Sequence, residues 1–235
     1  MCGRYVSPDQ AAMERAWHIG RGNNNPFTRN FNVAPTTQVP LLRIDPDSGD
    51  LVLDAARWGL IPVWWKEAKL PMHTIDARSE EAATKPMWRH PMRFARCLMP
   101  AEGWYEWQKV KTVDPETGEV KDGKQPHFIH LEGNRPFCFA ALMSTWTPPN
   151  TAEPALSCSI LTRAASPSVS TVHDRMPVVL PDGVHEAWLD PGLTDAGKVV
   201  SIIRECAVDD FAHHAISNRV NSPKNKDATL LDPVE

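Results

Sequence analysis

The sequence predicts an α+β fold in one domain spanning residues 1–235, with a predominantly antiparallel sheet and a few flanking helices. Three observations lead there. Short apolar runs of strand length recur along the chain, separated by Pro, Gly, Asn and Asp turn signals. Only two longer stretches carry helical features, 8–17 and 194–206. No repeat and no linker interrupts a chain long enough, at 235 residues and 42% hydrophobic, to bury a sizeable core.

Taken in order, Cys2–Val6 alternates as a short strand. Ser7-Pro8-Asp9 supplies an N-cap, a proline at the first helical position and an early acid for a helix ending near Trp17. Residues 20–30 form an Asn-rich polar loop, after which Phe31-Asn32-Val33-Ala34-Pro35 leads to a strand at Val39–Ile44. Asp45-Pro46-Asp47-Ser48-Gly49 turns that strand into a second at Leu51–Trp58, a predicted hairpin. Arg57-Trp58-Gly59-Leu60-Ile61-Pro62, with Trp64 and Trp65, is a proline-interrupted aromatic loop, and a short helix is expected near Ser79–Thr84. Strands follow at Cys97–Ala101 and Trp104–Val110, then a charged surface hairpin over 112–124. His127–Leu131 and Pro136–Met143 are predicted to pair around Glu132-Gly133-Asn134. Leu156–Thr162 and Met176–Leu180 are further strands, Val184–Trp188 a turn or two of helix, and Thr194–Cys206 an amphipathic helix with Val199, Ile202, Ile203 and Cys206 on one face. The tail from Ile216 is polar.

Composition excludes several classes. Five cysteines without a Cys-x-x-Cys suggest neither a disulfide framework nor a zinc site, and a reducing compartment fits. No apolar run reaches membrane-spanning length, and early charge argues against a signal peptide, so a cytoplasmic protein without membrane contact is expected. A net charge of −4 argues against indiscriminate coating of nucleic acid while leaving room for a local basic groove. No metal, phosphate-loop or dinucleotide signature appears, so neither a metal nor an organic cofactor is expected.

Chemistry concentrates in four places. The chain opens Met1-Cys2-Gly3-Arg4, and a small second residue favours removal of the initiator. Cys2 would then carry a free α-amine beside its thiol, a 1,2-aminothiol. At pH 7 roughly a tenth of such an amine is neutral, against under a thousandth of a lysine, and a neutral amine condenses with aldehydes. The thiol can then close a five-membered thiazolidine on the same carbon, or attack a carbonyl directly with the amine as base. In Glu102-Gly103-Trp104-Tyr105-Glu106-Trp107 a strand places Trp104 and Glu106 on one face, where partial desolvation raises a carboxyl into acid–base range. His173-Asp174-Arg175 places a histidine beside an acid and a base before a strand. Asp76-Ala77-Arg78 offers a cation to a phosphate, and Lys85 to Arg96 holds Arg89, His90 and Arg93 with Trp88 and Phe94 and no acid, a pattern suited to a strand of nucleic acid.

These pieces together resemble the SRAP family of SOS-response-associated peptidases and abasic-site-processing proteins. The resemblance rests on Met1-Cys2-Gly3-Arg4-Tyr5, Phe31 to Pro35, Arg57 to Pro62 with Trp64, Ala77-Arg78 with Glu80, Arg96 to Pro100, Gly103 to Trp107 and His173 to Pro177, in the family's order, with a weaker echo at Ser217–Asn225. It implies a barrel-like core and a protein, expected to be a monomer, whose partner is single-stranded DNA bearing abasic sites. It implies Cys2 as nucleophile, Glu106 as acid–base carboxylate, His173 as proton donor to the sugar, and self-cleavage of residues ahead of the cysteine. Arg4 and Arg78 are expected on phosphates, with Arg89, Arg93 and Arg96 extending the groove and Trp58 and Trp104 supplying aromatic surface. The family usually has Asn where this chain has Asp76; pairing with Arg78 or with the Cys2 ammonium is the favoured expectation, and a protonated, donating Asp76 the alternative. Two other classes share features: glutamine amidotransferases that also begin Met-Cys-Gly, whose Arg-Gly-Pro and Asn-Gly segments are absent here, and a single-strand-binding module in which Cys2 is idle.

Overall fold

The computed structural model describes residues 2–19, 26–67, 69–113, 118–149 and 151–234. Its centre is a closed five-stranded barrel. β3 (Gln38–Ile44) pairs with β4 (Leu51–Trp58) and with β6 (Arg96–Ala101), β6 with β9 (Phe137–Trp146), and β9 with β10 (Ala155–Ala164). Closure comes from the parallel pairing of β10 with β4, so the sheet is mostly antiparallel with a parallel seam. A second sheet runs β13 (Ala212–Ala215), β8 (Val120–His130), β7 (Gly103–Val113), β1 (Tyr5–Ser7), β2 (Asn30–Val33). Among the described residues five short α-helices lie outside: α1 Gln10–Trp17, α2 Ser79–Ala82, α3 Arg89–Phe94, α4 His185–Leu189 and α5 Ala196–Cys206. No helix among the described residues is long and apolar enough to cross a membrane.

Period-two alternation explains the layers. Cys97, Met99 and Ala101 of β6, with Phe137, Phe139 and Ala141 of β9, point into one core with Val39, Leu41, Trp58 and Ile160. The intervening Leu98, Cys138, Ala140 and Leu142 face a second core, closed by Met13, Met92, Trp188, Val199 and Ile203 of the helices. Strands buried on both faces read as continuous apolar runs, as 97–101 and 137–142 do. A third cluster, with Val6, Tyr105 and Phe128, sits under Ile216, Val220 and Leu230 of the C-terminal segment.

Several expectations are corrected. The predicted hairpin between His127–Leu131 and Pro136–Met143 does not form: β8 pairs with β7 and β13, while β9 belongs to the barrel. Gly133 (φ 74°) and Asn134 (φ 52°) instead carry the chain from one sheet to the other. Both edges of β8 are taken by β7 and β13, and the apolar faces of β9 are covered only inside the barrel. Asp9, not Ser7, caps α1, its Oδ1 accepting from the Ala12 N–H at 2.8 Å. The first strand begins at Tyr5 rather than Cys2, and the strand near 176–180 is two pieces, β11 (Arg175–Pro177) and β12 (Val179–Leu180). β2, β13 and α3 are four to six residues each, too short for a periodicity to register. Parts of the 20–30 loop and the 112–124 hairpin lie outside the described residues.

Gly103 shows how tightly β7 packs against its neighbour β8 within the second sheet. A Cβ there would lie 2.3 Å from the Phe128 ring and 2.7 Å from the Ile129 carbonyl oxygen. The ring is buried and the carbonyl belongs to a paired strand, so neither gives way easily. Gly103→Ala is expected to cost about 3 kcal/mol, at the upper end of overpacking penalties. Urea unfolding monitored by tryptophan fluorescence checks this; an unchanged midpoint would contradict the packing described.

Candidate functional site

Four separate segments converge. Cys2, just ahead of β1, is buried in the inner core with Tyr5, Trp58, Trp104 and Val172. Tyr5 holds that end in place, its ring edge-on to Trp58 (5.4 Å between centroids) and Phe139 (5.9 Å). Trp58 in turn donates its indole N–H to the Ile75 carbonyl at 2.8 Å, fixing the entry to β5 (Asp76–Arg78) and so the position of Asp76. β5 runs parallel to β10 with Asp76 opposite Ile160, and β11 joins the same strand with Pro177 opposite Thr162, so β10 anchors both the strand that carries Asp76 and the one that follows His173. Glu106 comes from β7, whose Trp104 pairs with Tyr5.

The electrostatics follow from burial. Glu106 is 2% exposed, and desolvation of its carboxylate, with Asp76 and Asp174 adding like charge, lifts its pKa to about 7. Burial foremost, then the charges of Glu106 and Asp76, push the Cys2 thiol well above its ordinary range. The thiol is therefore neutral at pH 7, and an amine is the better nucleophile for the first step.

His173 Nδ1 lies 3.0 Å from the Arg175 backbone N–H. Nδ1 also lies 3.2 Å from the Arg175 carbonyl oxygen, so it accepts from the Arg175 N–H when the ring proton is on Nε2 and donates to that carbonyl when it is on Nδ1. Nε2 is 4.0 Å from Glu106 Oε2. Burial lowers the His173 pKa, which favours the neutral ring, while Asp174, 3.1 Å from Nδ1, opposes this shift. A neutral imidazole with its Nε2 towards a carboxyl of pKa about 7 can pass a proton in either direction near neutrality.

The expected pairing of Asp76 with Arg78 is absent among the described residues. Asp76 Oδ2 is buried without a hydrogen-bond partner among them, and burial raises the carboxyl's pKa against the opposing pull of Arg175, Arg78 and His73. The Arg78 side chain is exposed.

Other expected DNA contacts fall elsewhere. Trp58 and Trp104 are fully buried and offer no face to a base. Arg96 is buried and donates to the carbonyls of Met92, Arg93, Trp188 and Asp190, so it holds α3 to α4 and has no phosphate to meet. Arg4 donates to Asn32 Oδ1 (2.9 Å) and to the Val220 (3.0 Å) and Asn221 (3.3 Å) carbonyls. Arg89 and Arg93 are exposed on α3; Arg89 borders a groove of about 350 Å³ with Pro62, Trp64, Met87 and His90, which contains none of the four converging residues. The accessible aromatics are Trp64, 54% exposed, and Phe94, 52% exposed, where the sequence points to Trp58 and Trp104.

Two structural features were outside sequence reasoning. Arg175 makes a bidentate pair with Glu80, at 2.6 and 2.9 Å, tying the turn after His173 to α2. Asn32, 1% exposed, donates to the carbonyls of Val220, Ser222 and Asn225 and so docks the C-terminal segment on β2. An asparagine within a strand-like run, where that residue is depleted, was the available signal.

Comparison with known proteins gives a consistent picture. A family model described as SOS response associated peptidase (SRAP) matches residues 1–223. The chain is similar to abasic site processing protein YoqW of Bacillus subtilis (strain 168), 36% identical over 203 residues, which are 86% of this chain and 85% of that one. It is likewise similar to abasic site processing protein YoaM of the same organism, 36% identical over 239 residues, 99% and 98% of the two chains. A crystal structure of a Bacteroides thetaiotaomicron protein matches 100% of both chains with a TM-score of 0.77; at 22% identity this likeness concerns the fold alone.

Proposed function

The chain belongs to the SRAP family, and on that premise we propose that it processes abasic sites in single-stranded DNA by joining Cys2 covalently to the ring-opened sugar. The observation that carries the reading is the convergence of Cys2, Asp76, Glu106 and His173 from four distant segments, the first and third buried and the other two half-buried beside them. In this account, removal of Met1 frees the Cys2 amine. We assign cleavage of any longer leader to the same site, with Glu106 moving the proton.

The steps follow from the protonation states. An abasic deoxyribose interconverts between a closed hemiacetal and an open aldehyde. As the C1′–O4′ bond breaks, the ring oxygen takes a proton from His173 Nε2 while the C1′ hydroxyl gives its proton to the Glu106 carboxylate, which passes it back to Nε2, so no net proton is gained or lost. The Cys2 amine adds to the aldehyde carbon, giving a carbinolamine. Glu106, titrating near 7, takes a proton from nitrogen and returns it to the departing hydroxyl, so water leaves and an imine forms. The neutral thiol then adds across the C=N bond, its proton passing to nitrogen, and the thiazolidine closes. One water is lost overall. The product lacks the aldehyde that drives β-elimination, so the strand is protected from scission. Arg78, exposed two residues from Asp76, is placed to hold a flanking phosphate.

Incubation with an oligonucleotide in which uracil-DNA glycosylase has created one abasic site tests this. A heat-stable, slowly migrating band on a denaturing gel is expected; its absence would refute the reading.

Asp76 gives a pH signature. Burial favours its protonated form, which donates a hydrogen bond as an asparagine amide does. Asp76→Asn is therefore expected to match the wild type at low pH and to outpace it progressively as pH rises and the wild-type carboxyl ionises. An Asn variant slower than wild type at every pH would assign the carboxylate a role of its own.

A further inference from the structure

Gln108 lies two residues after Glu106 on β7, and therefore on the same face of that strand. Its side chain spans two elements. Nε2 lies 2.9 Å from the Thr171 carbonyl oxygen, and Oε1 lies 3.2 Å from His127 Nε2 on β8. The polarity of this chain follows from the acceptor at its end. A carbonyl only accepts, so the Gln108 amide nitrogen must face Thr171 and its oxygen must face His127. The oxygen only accepts, so His127 carries its proton on Nε2. His127 Nδ1 is then a lone pair, and His213 Nδ1, 3.3 Å away on β13, donates to it. Every link has a single allowed direction with both histidines neutral. Burial, the leading cause, lowers the pKa of each and favours that state.

What this chain holds is the turn that carries His173. Residues 165–174 connect β10 to β11, and the turn is anchored by the buried Val169 and Val172. Ser168 ties its start to the C-terminal part of the chain, donating to the Asp209 carbonyl at 2.7 Å and accepting from the Phe211 N–H at 3.3 Å. Nearer the histidine two ties hold it from either side. One is the Arg175–Glu80 pair two residues after it, and the other is Gln108 on the Thr171 carbonyl two residues ahead of it. The second belongs to the strand that carries Glu106. The separation of Glu106 from His173 is therefore set by two rungs of the same β7 face, one carrying the carboxyl and the other gripping the turn.

We propose that Gln108 is a positioning residue that sets the distance between His173 and Glu106, with His127 orienting its amide. The proposal rests on the function assigned to His173 above. Both ends of the Gln108 amide are used within the protein, on Thr171 and His127, so its effect falls on the rate of bond formation.

The test uses the full-length protein and two oligonucleotides. One carries an abasic site, for single-turnover crosslinking rates. The other carries a tetrahydrofuran analogue that cannot open, for non-covalent affinity. Gln108→Met keeps the side-chain length and removes both hydrogen bonds. Gln108→Glu retains an acceptor for His127 but sets an oxygen against the Thr171 carbonyl. Each is expected to slow crosslinking roughly tenfold, the rate equivalent of about one hydrogen bond, with tetrahydrofuran affinity unchanged. In a His173→Ala background neither should slow the reaction further, because the group they position is gone. Wild-type rates in both Gln108 variants would overturn the proposal, as would an equal slowing in the His173→Ala background, which would mean that Gln108 acts elsewhere. A His173→Ala protein that crosslinks at the wild-type rate would instead refute the role of His173 on which the proposal stands.

Discussion

Cys2→Ala is expected to abolish the stable adduct while leaving affinity for a tetrahydrofuran oligonucleotide within about twofold, since the thiol closes the ring and binding precedes it. The protein should remain folded. Cys2 is 1% exposed in the inner core, and loss of one small buried sulfur costs about 1 kcal/mol, well inside a domain's stability. The alanine variant retains an α-amine, so borohydride should still trap an imine in it, and the same holds for Cys2→Ser. That pattern separates the two halves of the mechanism, amine addition and thiol closure. A Cys2→Ala protein that forms the heat-stable band as well as wild type would remove the basis of the account.

Glu106→Gln carries the second large effect, in two directions. Crosslinking should fall by on the order of 10²–10⁴, the usual contribution of a positioned general acid–base group. The wild-type pH–rate profile should show a limb near pH 7, where burial places the Glu106 carboxyl, and the variant should lack it. Stability should move the other way. The folded-state pKa of about 7 stands above the ordinary 4.5, so the fold disfavours the carboxylate. Below 4.5 both folded and unfolded chains hold the proton and there is no penalty. As pH rises, the unfolded chain ionises first, and the penalty grows until the folded carboxyl also ionises near 7. Above that it amounts to on the order of 3 kcal/mol. The amide variant escapes this, so at pH 8 it should need more urea to unfold than wild type, with the difference fading below pH 5 or so. A variant that is both slower and less stable at pH 8 would mean that Glu106 is held by contacts worth more than its desolvation costs.

Local sequence reveals the parts of this site better than their arrangement. The barrel strands are legible because burial on both faces leaves continuous apolar runs, as at 97–101 and 137–142. Gly49, with φ of 77°, and the Asp45 carboxylate accepting from Asp47 and Ser48 make the β3–β4 turn readable from its residues alone. Cys2, Glu106 and His173 stand out by residue type and neighbourhood. Their meeting depends on the pairing of β1 with β7 and of β11 with β10, non-local relations that no periodicity encodes. Partner choice is equally opaque. Basic residues at 78, 89, 93 and 96 look alike in sequence, yet Arg96 is buried against four carbonyls while Arg78 is exposed. Trp58 and Trp104 look like stacking surface because tryptophan serves both cores and nucleic-acid sites, and here their rings complete the core beneath Cys2. Asp76 invites pairing with its neighbour Arg78, but on a strand residues 76 and 78 share a face without their end groups having to meet, and burial decides the carboxyl's state.

The central claim, that the Cys2 aminothiol captures the abasic aldehyde, is tested most directly by mass spectrometry of the crosslinked product after nuclease and protease digestion. The remnant of the abasic sugar is expected on the peptide beginning at Cys2, with Met1 absent, at a mass equal to peptide plus sugar fragment less one water, and without any reductant. A remnant on a lysine, or an adduct that appears only after borohydride, would contradict it.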